Sequence, residues 1–306
     1  MAIVVNPSSR DEQWKAELRA QMPDEELWFW PNIGDPAEVE YLIAWVMSRK
    51  DLATFTNLKA ALCVGAGTEQ WQKPGIEVPV VRLADPEMAN EMAAYALHWV
   101  IRHQRRFAEA EQTQRVGEWV VPDHKQPYEY HVGVLGYGEI GSRIGRAFGD
   151  LGYAVSAWTR SGRDEPGVRH FAGDDQLEQF LASSDAVINV LPSTAETTGL
   201  LTAERLGQFV DGAIFVNVGR GTVIADEADL IAALDAGPLA AAVLDVTNPE
   251  PPAEGSPLYT HPAVTLTAHL SGMTQIRSAA SLIAANIARM RAGEEPFPLL
   301  DRTRGY

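Results

Sequence analysis

Three residues with chemically useful side chains each stand just past an apolar run: Arg220 after AIFVNVG, Glu250 shortly after AAVLDV and His269 after AVTLTA. A guanidinium binds an anion, an imidazole moves a proton near neutral pH, and a carboxylate can hold that imidazole in one orientation. A fourth feature is the turn GYGEIG, where Gly136, Gly138 and Gly141 keep GxGxxG spacing between the run VGVL and an amphipathic stretch. Glycines there allow a tight turn, bare backbone against a pyrophosphate and close packing of helix on strand, while the helix start offers free N–H groups. The turn therefore predicts a dinucleotide site contacted by Gly136, Tyr137, Gly138, Glu139, Ile140 and Gly141.

Which dinucleotide is read at the end of the following strand. An acidic residue about 20 positions on would receive a free ribose 2′-hydroxyl. Here Trp158 stands 22 positions past Gly136 and is followed by Thr159, Arg160 and Ser161, with Arg163 beyond. No carboxylate stands there, whereas guanidinium suits phosphate oxygens. Trp158, Thr159, Arg160 and Ser161 are thus expected at the adenosine end of the site. NADP(H) is the preferred cofactor on this reading, with NAD(H) as second choice.

Gathering Arg220, Glu250 and His269 around one ligand needs a parallel sheet, in which all strands end at one edge. From Val132 the chain alternates helical stretches with HVGVLGYG, YAVSAWT, DAVINVLP, AIFVNVG, AAVLDV and AVTLTAH. Continuous apolar strands of this kind predict a parallel sheet covered on both faces. Residues 1 to about 83 carry AIVVN, YLIAWV, LKAALCVGAG and VPVVRL, which predict a first α/β unit. After it, Asp85 and Pro86 predict the start of a helix in which Met88, Met92, Tyr95, Trp99 and Phe107 recur, extending to about Ala110. VPDHKQPYEY reads as a connection. QIRSAASLIAANIARMRAG is a further helical segment.

Composition limits the partners. The 306 residues suit about two domains, and 46% apolar content is that of a globular chain. A formal charge of −16 repels phosphate backbones and anionic lipid, so neither nucleic acid nor membrane is an expected partner. A single cysteine, Cys63, excludes an intrachain disulfide, and the histidines do not cluster at ligand spacing, so no metal is expected. The N-terminal stretch lacks a secretory pattern and no apolar run approaches a membrane span, which predicts a soluble, cytoplasmic protein.

The motifs VGAG at residues 64–67, VGVLGYGEIG, INVLPSTAET, NVGRGTVI, LDVTNPEPP, SPLYTHPAVTLTAH and DRTRGY together resemble the D-2-hydroxyacid dehydrogenases, most closely their glyoxylate/hydroxypyruvate reductase A branch. The resemblance covers nearly the whole chain. It implies two Rossmann-like and flavodoxin-like α/β domains with doubly wound parallel sheets and a cleft between them. The implied plan is discontinuous: residues 1–84 plus 286–306 form the substrate domain and 85–285 the dinucleotide domain. A homodimer built around the helix near residues 86–108 is also implied. Arg220, Glu250 and His269 become the catalytic arginine, glutamate and histidine, and Asp245 lies near the nicotinamide carboxamide. Leu191, Pro192, Val218 and Gly219 join the cofactor contacts. Trp45 matches an aromatic position lining the active site of that branch. With Arg220 on the substrate carboxylate, backbone N–H groups of Gly65, Ala66 and Gly67 can take its other side, so Trp45, Gly65, Ala66, Gly67, Arg220 and His269 are the expected substrate contacts. One departure stands out: the family's histidine motif commonly reads Thr-Pro-His, whereas this chain has Ala268 before His269.

These roles predict NADPH-dependent reduction of small 2-oxo acids, glyoxylate to glycolate and hydroxypyruvate to D-glycerate, with His269 as general acid and Arg220 polarising the carbonyl. The rival readings are a reductase of other 2-oxo acids, such as pyruvate or phenylpyruvate, and a dinucleotide-sensing protein without turnover.

Overall fold

Short apolar runs buried on both faces become parallel strands, because helices then cover each side of the sheet. The computed structural model describes residues 1–73, 76–163 and 165–305, so Tyr306, the last residue of DRTRGY, lies outside the described residues. The chain groups into two units, Met1–Met88 with Thr274–Tyr306, and Ala89–Met273.

In the first unit, β1 (Ala2–Asn6), β2 (Glu26–Phe29), β3 (Val39–Ala44), β4 (Ala60–Cys63) and β5 (Val80–Val81) form a parallel sheet in the order β2-β1-β3-β4-β5. That order is flavodoxin-like, with its switch point between β1 and β3. Helices Asp11–Gln21 and Ile276–Arg291 pack on each other. Ile276, Ala279, Ala280, Ile283 and Ile287 form the buried stripe of the second of these. The whole of that helix belongs to this unit, whereas the sequence-based plan had the chain return at residue 286.

In the second unit, β6 (His131–Leu135), β7 (Ala154–Thr159), β8 (Val168–Ala172), β9 (Ala186–Asn189), β10 (Ala213–Asn217), β11 (Leu239–Leu244) and β12 (Val264–Leu266) form a parallel sheet. Its order is β12-β11-β10-β9-β6-β7-β8, the Rossmann order with one added strand, and the switch point falls between β6 and β9. The core on this sheet is built from Leu135, Phe171, Phe180, Leu201, Phe215 and Leu244 with their neighbours. Of the strands, β2 and β8 have no counterpart in the sequence reading. Each is an edge strand, and their half-exposed sequences ELWF and VRHFA lack the continuous apolar character of the inner strands.

The long helix differs from expectation in its length. Asp85 caps it as predicted, its carboxylate accepting from the Glu87 N–H at 3.0 Å, but the helix ends at Gln104. Arg106 then takes φ +54° and a separate helix spans Phe107–Arg115. The cause is a buried polar anchor: the Gln104 amide donates to the Lys125 carbonyl and accepts from the Tyr153 hydroxyl at 3.2 Å, which ties the helix end to the core.

The helix Glu139–Asp150 lies so close to the preceding strand that a Cβ on Gly141 would stand 2.0 Å from the Gly136 carbonyl oxygen. Backbone cannot yield as a side-chain tip can. Gly141→Ala should therefore lower unfolding stability by about 1–3 kcal/mol. Gly149→Ala, in the same helix with nothing within 4 Å, should be neutral or add up to about 1 kcal/mol. Urea unfolding of the two variants checks this, and equal behaviour would remove the close-packing explanation.

Candidate active site

The phosphate turn shows three different uses of glycine. Gly136 has φ +99°, which L side chains rarely adopt, and it abuts Leu191. Gly138 caps the helix with nothing within 4 Å of a Cβ placed there, so bare backbone faces open space at a helix N-terminus. Gly141 permits the approach of helix to strand. This arrangement fits a dinucleotide pyrophosphate by its own geometry, because the open face is the one where the unpaired helix N–H groups and the positive dipole end lie.

Of the side chains of the turn, Glu139 is exposed and Ile140 half-buried, whereas Tyr137 is turned inward. The Tyr137 ring is buried over Gly145, where a Cβ would meet the phenol oxygen at 2.6 Å. Its carbonyl oxygen accepts from the Arg163 guanidinium at 2.9 Å. Trp158, expected at the adenosine end, turns its ring into the core instead, with its indole N–H on the Gly173 carbonyl at 2.8 Å. Thr159 is half-buried, while Arg160, Ser161 and Arg163 are exposed just past β7. Arg160 lies close enough to Glu196 to contribute to holding that carboxyl below its ordinary range, after the larger effect of the hydrogen bond from Thr194.

Across the switch point, two fully buried asparagines end adjacent strands, and sequence reasoning missed both. Asn189 closes β9 and Asn217 closes β10; the Asn189 amide donates to Asn217 Oδ1 at 2.8 Å. Asn189 Oδ1 accepts from the Leu191 N–H at 3.2 Å. Asn217 Oδ1 accepts from the Gly219 N–H at 3.2 Å, and its Nδ2 donates to the Arg220 carbonyl at 3.1 Å. The pair fixes the loop of Leu191 and Pro192 and the loop of Val218, Gly219 and Arg220 against each other. Their signal was available in AVIN and AIFVN, where one amide ends a run that is otherwise apolar.

Arg220 stands between glycines that the packing requires. A Cβ on Gly219 would lie 2.7 Å from the Leu191 carbonyl oxygen, and one on Gly221 would lie 2.0 Å from the Thr247 carbonyl carbon. The arginine loop is thereby pressed against the ends of β9 and β11. Arg220 itself donates to the Gly219 carbonyl at 2.7 Å. Beyond β11, Glu250 Oε1 meets His269 Nδ1 at 2.7 Å, both side chains half-exposed. With the carboxylate on Nδ1, that nitrogen is the donor of the pair, and Nε2 lies on the side of the ring away from Glu250.

Asp245, at the end of β11, is buried, and its carboxylate serves the protein first. It accepts from the Leu270 N–H at 2.9 Å, the Ser271 N–H at 2.8 Å and the Thr267 hydroxyl. Burial alone would push its carboxyl upward, but these hydrogen bonds outweigh burial and hold it below the usual carboxylate range.

The first unit has its own polar edge. Trp45 follows β3 and is exposed over about a third of its surface, 37%, so it is not a core residue. Its ring lies on Gly65, where a Cβ would stand 2.7 Å from the ring, and the Asn6 amide holds the adjoining Val46 carbonyl at 3.1 Å. Gly65, Ala66 and Gly67 follow β4, and Thr274 donates to the Val64 carbonyl at 2.9 Å beside them.

Residues 97–271 match the family model described as D-isomer specific 2-hydroxyacid dehydrogenase, NAD binding domain. Over 312 aligned residues, 99% of each chain, the protein is 35% identical to a glyoxylate/hydroxypyruvate reductase A of Serratia proteamaculans (strain 568). Among solved structures it is similar to a D-isomer specific 2-hydroxyacid dehydrogenase of Xanthobacter autotrophicus Py2 in complex with NADPH and MES. That similarity has a TM-score of 0.95 and 39% identity, over 100% of this chain and 99% of the other. It is likewise similar to an NADPH-dependent glyoxylate/hydroxypyruvate reductase of Sinorhizobium meliloti in complex with NADP and sulfate, with a TM-score of 0.92 and 26% identity over 100% and 99% of the two chains.

Proposed function

Because the chain belongs to the D-isomer specific 2-hydroxyacid dehydrogenases, we propose that it reduces small 2-oxo acids with NADPH, converting glyoxylate to glycolate and hydroxypyruvate to D-glycerate. The observation that carries this reading is the contact of 2.7 Å between His269 and Glu250 at the same sheet edge as the phosphate turn. The relatives named above, a glyoxylate/hydroxypyruvate reductase and an NADPH complex, point to the same chemistry.

NADPH, when bound, supplies the hydride that the carbonyl carbon receives. The chain's own residues do the rest. Gly136 to Gly141 offer backbone N–H groups to the pyrophosphate, with Leu191, Pro192, Val218 and Gly219 forming loops beside it. Arg160 and Ser161 take the 2′-phosphate, a role for which guanidinium is suited and for which the missing carboxylate leaves room. Arg220 pairs with the substrate carboxylate and stabilises negative charge as it develops on the reacting oxygen. His269 holds a proton at Nε2 and passes it to that oxygen, while Glu250 accepts the Nδ1–H and keeps the ring in place. Trp45 and the backbone of Gly65 to Gly67 serve substrate binding from the first unit, the aromatic ring favouring small acids. The unit Ala89–Met273 is on this reading the dinucleotide unit.

The partner expected besides substrate is a second copy of this chain. After the break at Arg106, the segment 107–128 exposes Phe107, Val116, Trp119, Val121 and Tyr128, with Trp119 97% exposed. An apolar series of that kind is unfavourable in water and suits a self-association surface. Among the described residues no helix is long and apolar enough to cross a membrane.

Initial rates of glyoxylate, hydroxypyruvate, pyruvate and phenylpyruvate reduction, each with NADPH and NADH, test the activity. The expected result is fastest turnover of the first two acids with NADPH, and an Arg160→Ala variant that weakens NADPH at least tenfold more than NADH, as for one lost charge-assisted phosphate contact. Faster turnover of the larger acids would move the substrate class, and tight NADPH binding without any turnover would make the protein a dinucleotide sensor. For the dimer, light scattering should give twice the 33.4 kDa chain mass, shifting to monomer in Trp119→Ser. A wild-type protein of single-chain mass would remove the dimer.

A further inference from the structure

The catalytic histidine proposed above stands in a loop whose backbone is under strain. His269 has φ +53°, a left-handed conformation uncommon for a residue with a side chain, and such residues persist only where their surroundings over-determine them. Ala268 precedes it, so no proline ring fixes the backbone there.

What holds the loop is a chain of hydrogen bonds that starts on the helix Pro86–Gln104. The Tyr95 hydroxyl lies 2.7 Å from Thr267 Oγ1, and Thr267 Oγ1 bonds to Asp245 Oδ1. The direction of both bonds follows from the donors available. An ionised carboxylate only accepts, so the single hydroxyl hydrogen of Thr267 goes to Asp245, and Tyr95 must donate to Thr267. Burial is the main reason that the Tyr95 hydroxyl is pushed up to about 12, so it keeps this proton at any working pH. From Asp245 the chain reaches the loop at three consecutive residues: its backbone carbonyl accepts from the His269 N–H at 2.9 Å, and its carboxylate accepts from the Leu270 and Ser271 N–H groups.

We infer that Tyr95 is a positioning residue for His269, acting through Thr267 and Asp245 to set the loop in which Nδ1 meets Glu250 and Nε2 is presented for proton transfer. The inference rests on the reading of His269 as the proton donor. It also gives Asp245 a structural role, because three of its acceptor positions are taken by the protein itself, which leaves little of the carboxylate for a ligand.

The test uses the full-length chain, with glyoxylate and NADPH as the assay pair. Tyr95→Phe removes one oxygen and nothing else. It should lower kcat about tenfold, a part of the hundredfold or more that a general acid contributes. The NADPH dissociation constant read by fluorescence should stay within about twofold, since weakened acid catalysis leaves binding intact. The solvent deuterium isotope effect on kcat should rise above that of the wild type, because a misplaced donor makes proton transfer slower than the other steps. A merely structural loss would move the thermal midpoint without moving that isotope effect. Thr267→Val cuts the same chain, so it should match Tyr95→Phe, and the double variant should be no worse than Thr267→Val alone. Should Tyr95→Phe fold poorly, the comparison of Thr267→Ser with Thr267→Val carries the test, the variant that keeps the hydroxyl exceeding the isosteric one in kcat by about the same tenfold. An unchanged kcat and isotope effect in Tyr95→Phe, or equal rates for the two Thr267 variants, overturns the inference. His269→Ala is assayed alongside: if it is inactive while Tyr95→Phe behaves as wild type, only this inference falls, and if it turns over normally, the reading of His269 falls with it.

Discussion

The close approach of backbone to backbone at the carboxyl edge of the seven-stranded sheet is the constraint on which the rest of the site depends. Three contacts make it: the helix start against the Gly136 carbonyl at Gly141, the arginine loop against Leu191 at Gly219, and the same loop against Thr247 at Gly221. Each would place a Cβ inside another residue's backbone, and backbone has no rotamer with which to yield. The loops at the ends of β6, β9, β10 and β11 are thereby stacked with little freedom. A site assembled from the tips of several strands needs that rigidity, since a displacement of about 1 Å is enough to cost most of a catalytic alignment.

Close packing brings polar backbone out of water, and those groups need partners where they are buried. The asparagine pair supplies them for β9 and β10: one amide bond of 2.8 Å joins the strand ends, and the remaining amide atoms satisfy Leu191, Gly219 and Arg220. Asp245 does the same for the loop past β12. The two devices differ in their electrostatics. An amide pair is neutral and self-complementary, so it is at home where both residues are fully buried. A carboxylate buried as deeply must be compensated by several donors, and it is, with backbone N–H groups and a hydroxyl together outweighing the desolvation that opposes its charge. The charged device stands where a residue with a side chain takes a left-handed backbone, at His269.

How much of this was legible follows from where the signals arise. The inner strands and the phosphate turn could be read from continuous apolar runs and glycine spacing, because burial on both faces leaves no other composition. The edge strands β2 and β8 could not, since one open side admits Glu26 and Arg169 into sequences that no longer look like strands. The long helix was read to its correct start, where Asp85 and Pro86 act locally, and past its end, where the stop is a tertiary contact of Gln104 with Lys125 and Tyr153. Arg220, Glu250 and His269 were singled out because they stand just beyond apolar strands, and the last two meet in the structure. Trp158 was placed at the adenosine end by the same positional logic, and its ring lies in the core. Position past a glycine turn fixes where a residue's backbone lies, but a large apolar ring at a strand end gains more from the core than from a ligand.

The charge of the chain and the charge of its proposed ligands pull in opposite directions. A protein of formal charge −16 repels a dinucleotide phosphate and a 2-oxo acid alike. That repulsion is screened beyond about 8 Å at physiological salt, so it weakens encounter without reaching far into the bound state. Within that distance the balance is set by what stands at the sheet edge. The open helix start at Gly138, Arg160 and Arg163 past β7, and Arg220 past β10 concentrate positive potential where the second unit's strands end. Asp245, whose carboxylate holds the loop of His269, is consumed by its own hydrogen bonds, and Glu250 is engaged with the imidazole. The acidic surface therefore opposes polyanions at long range, while on the proposed reading anion binding falls to Arg160, Arg220 and the helix start, with Asp245 and Glu250 at that sheet edge already held by partners.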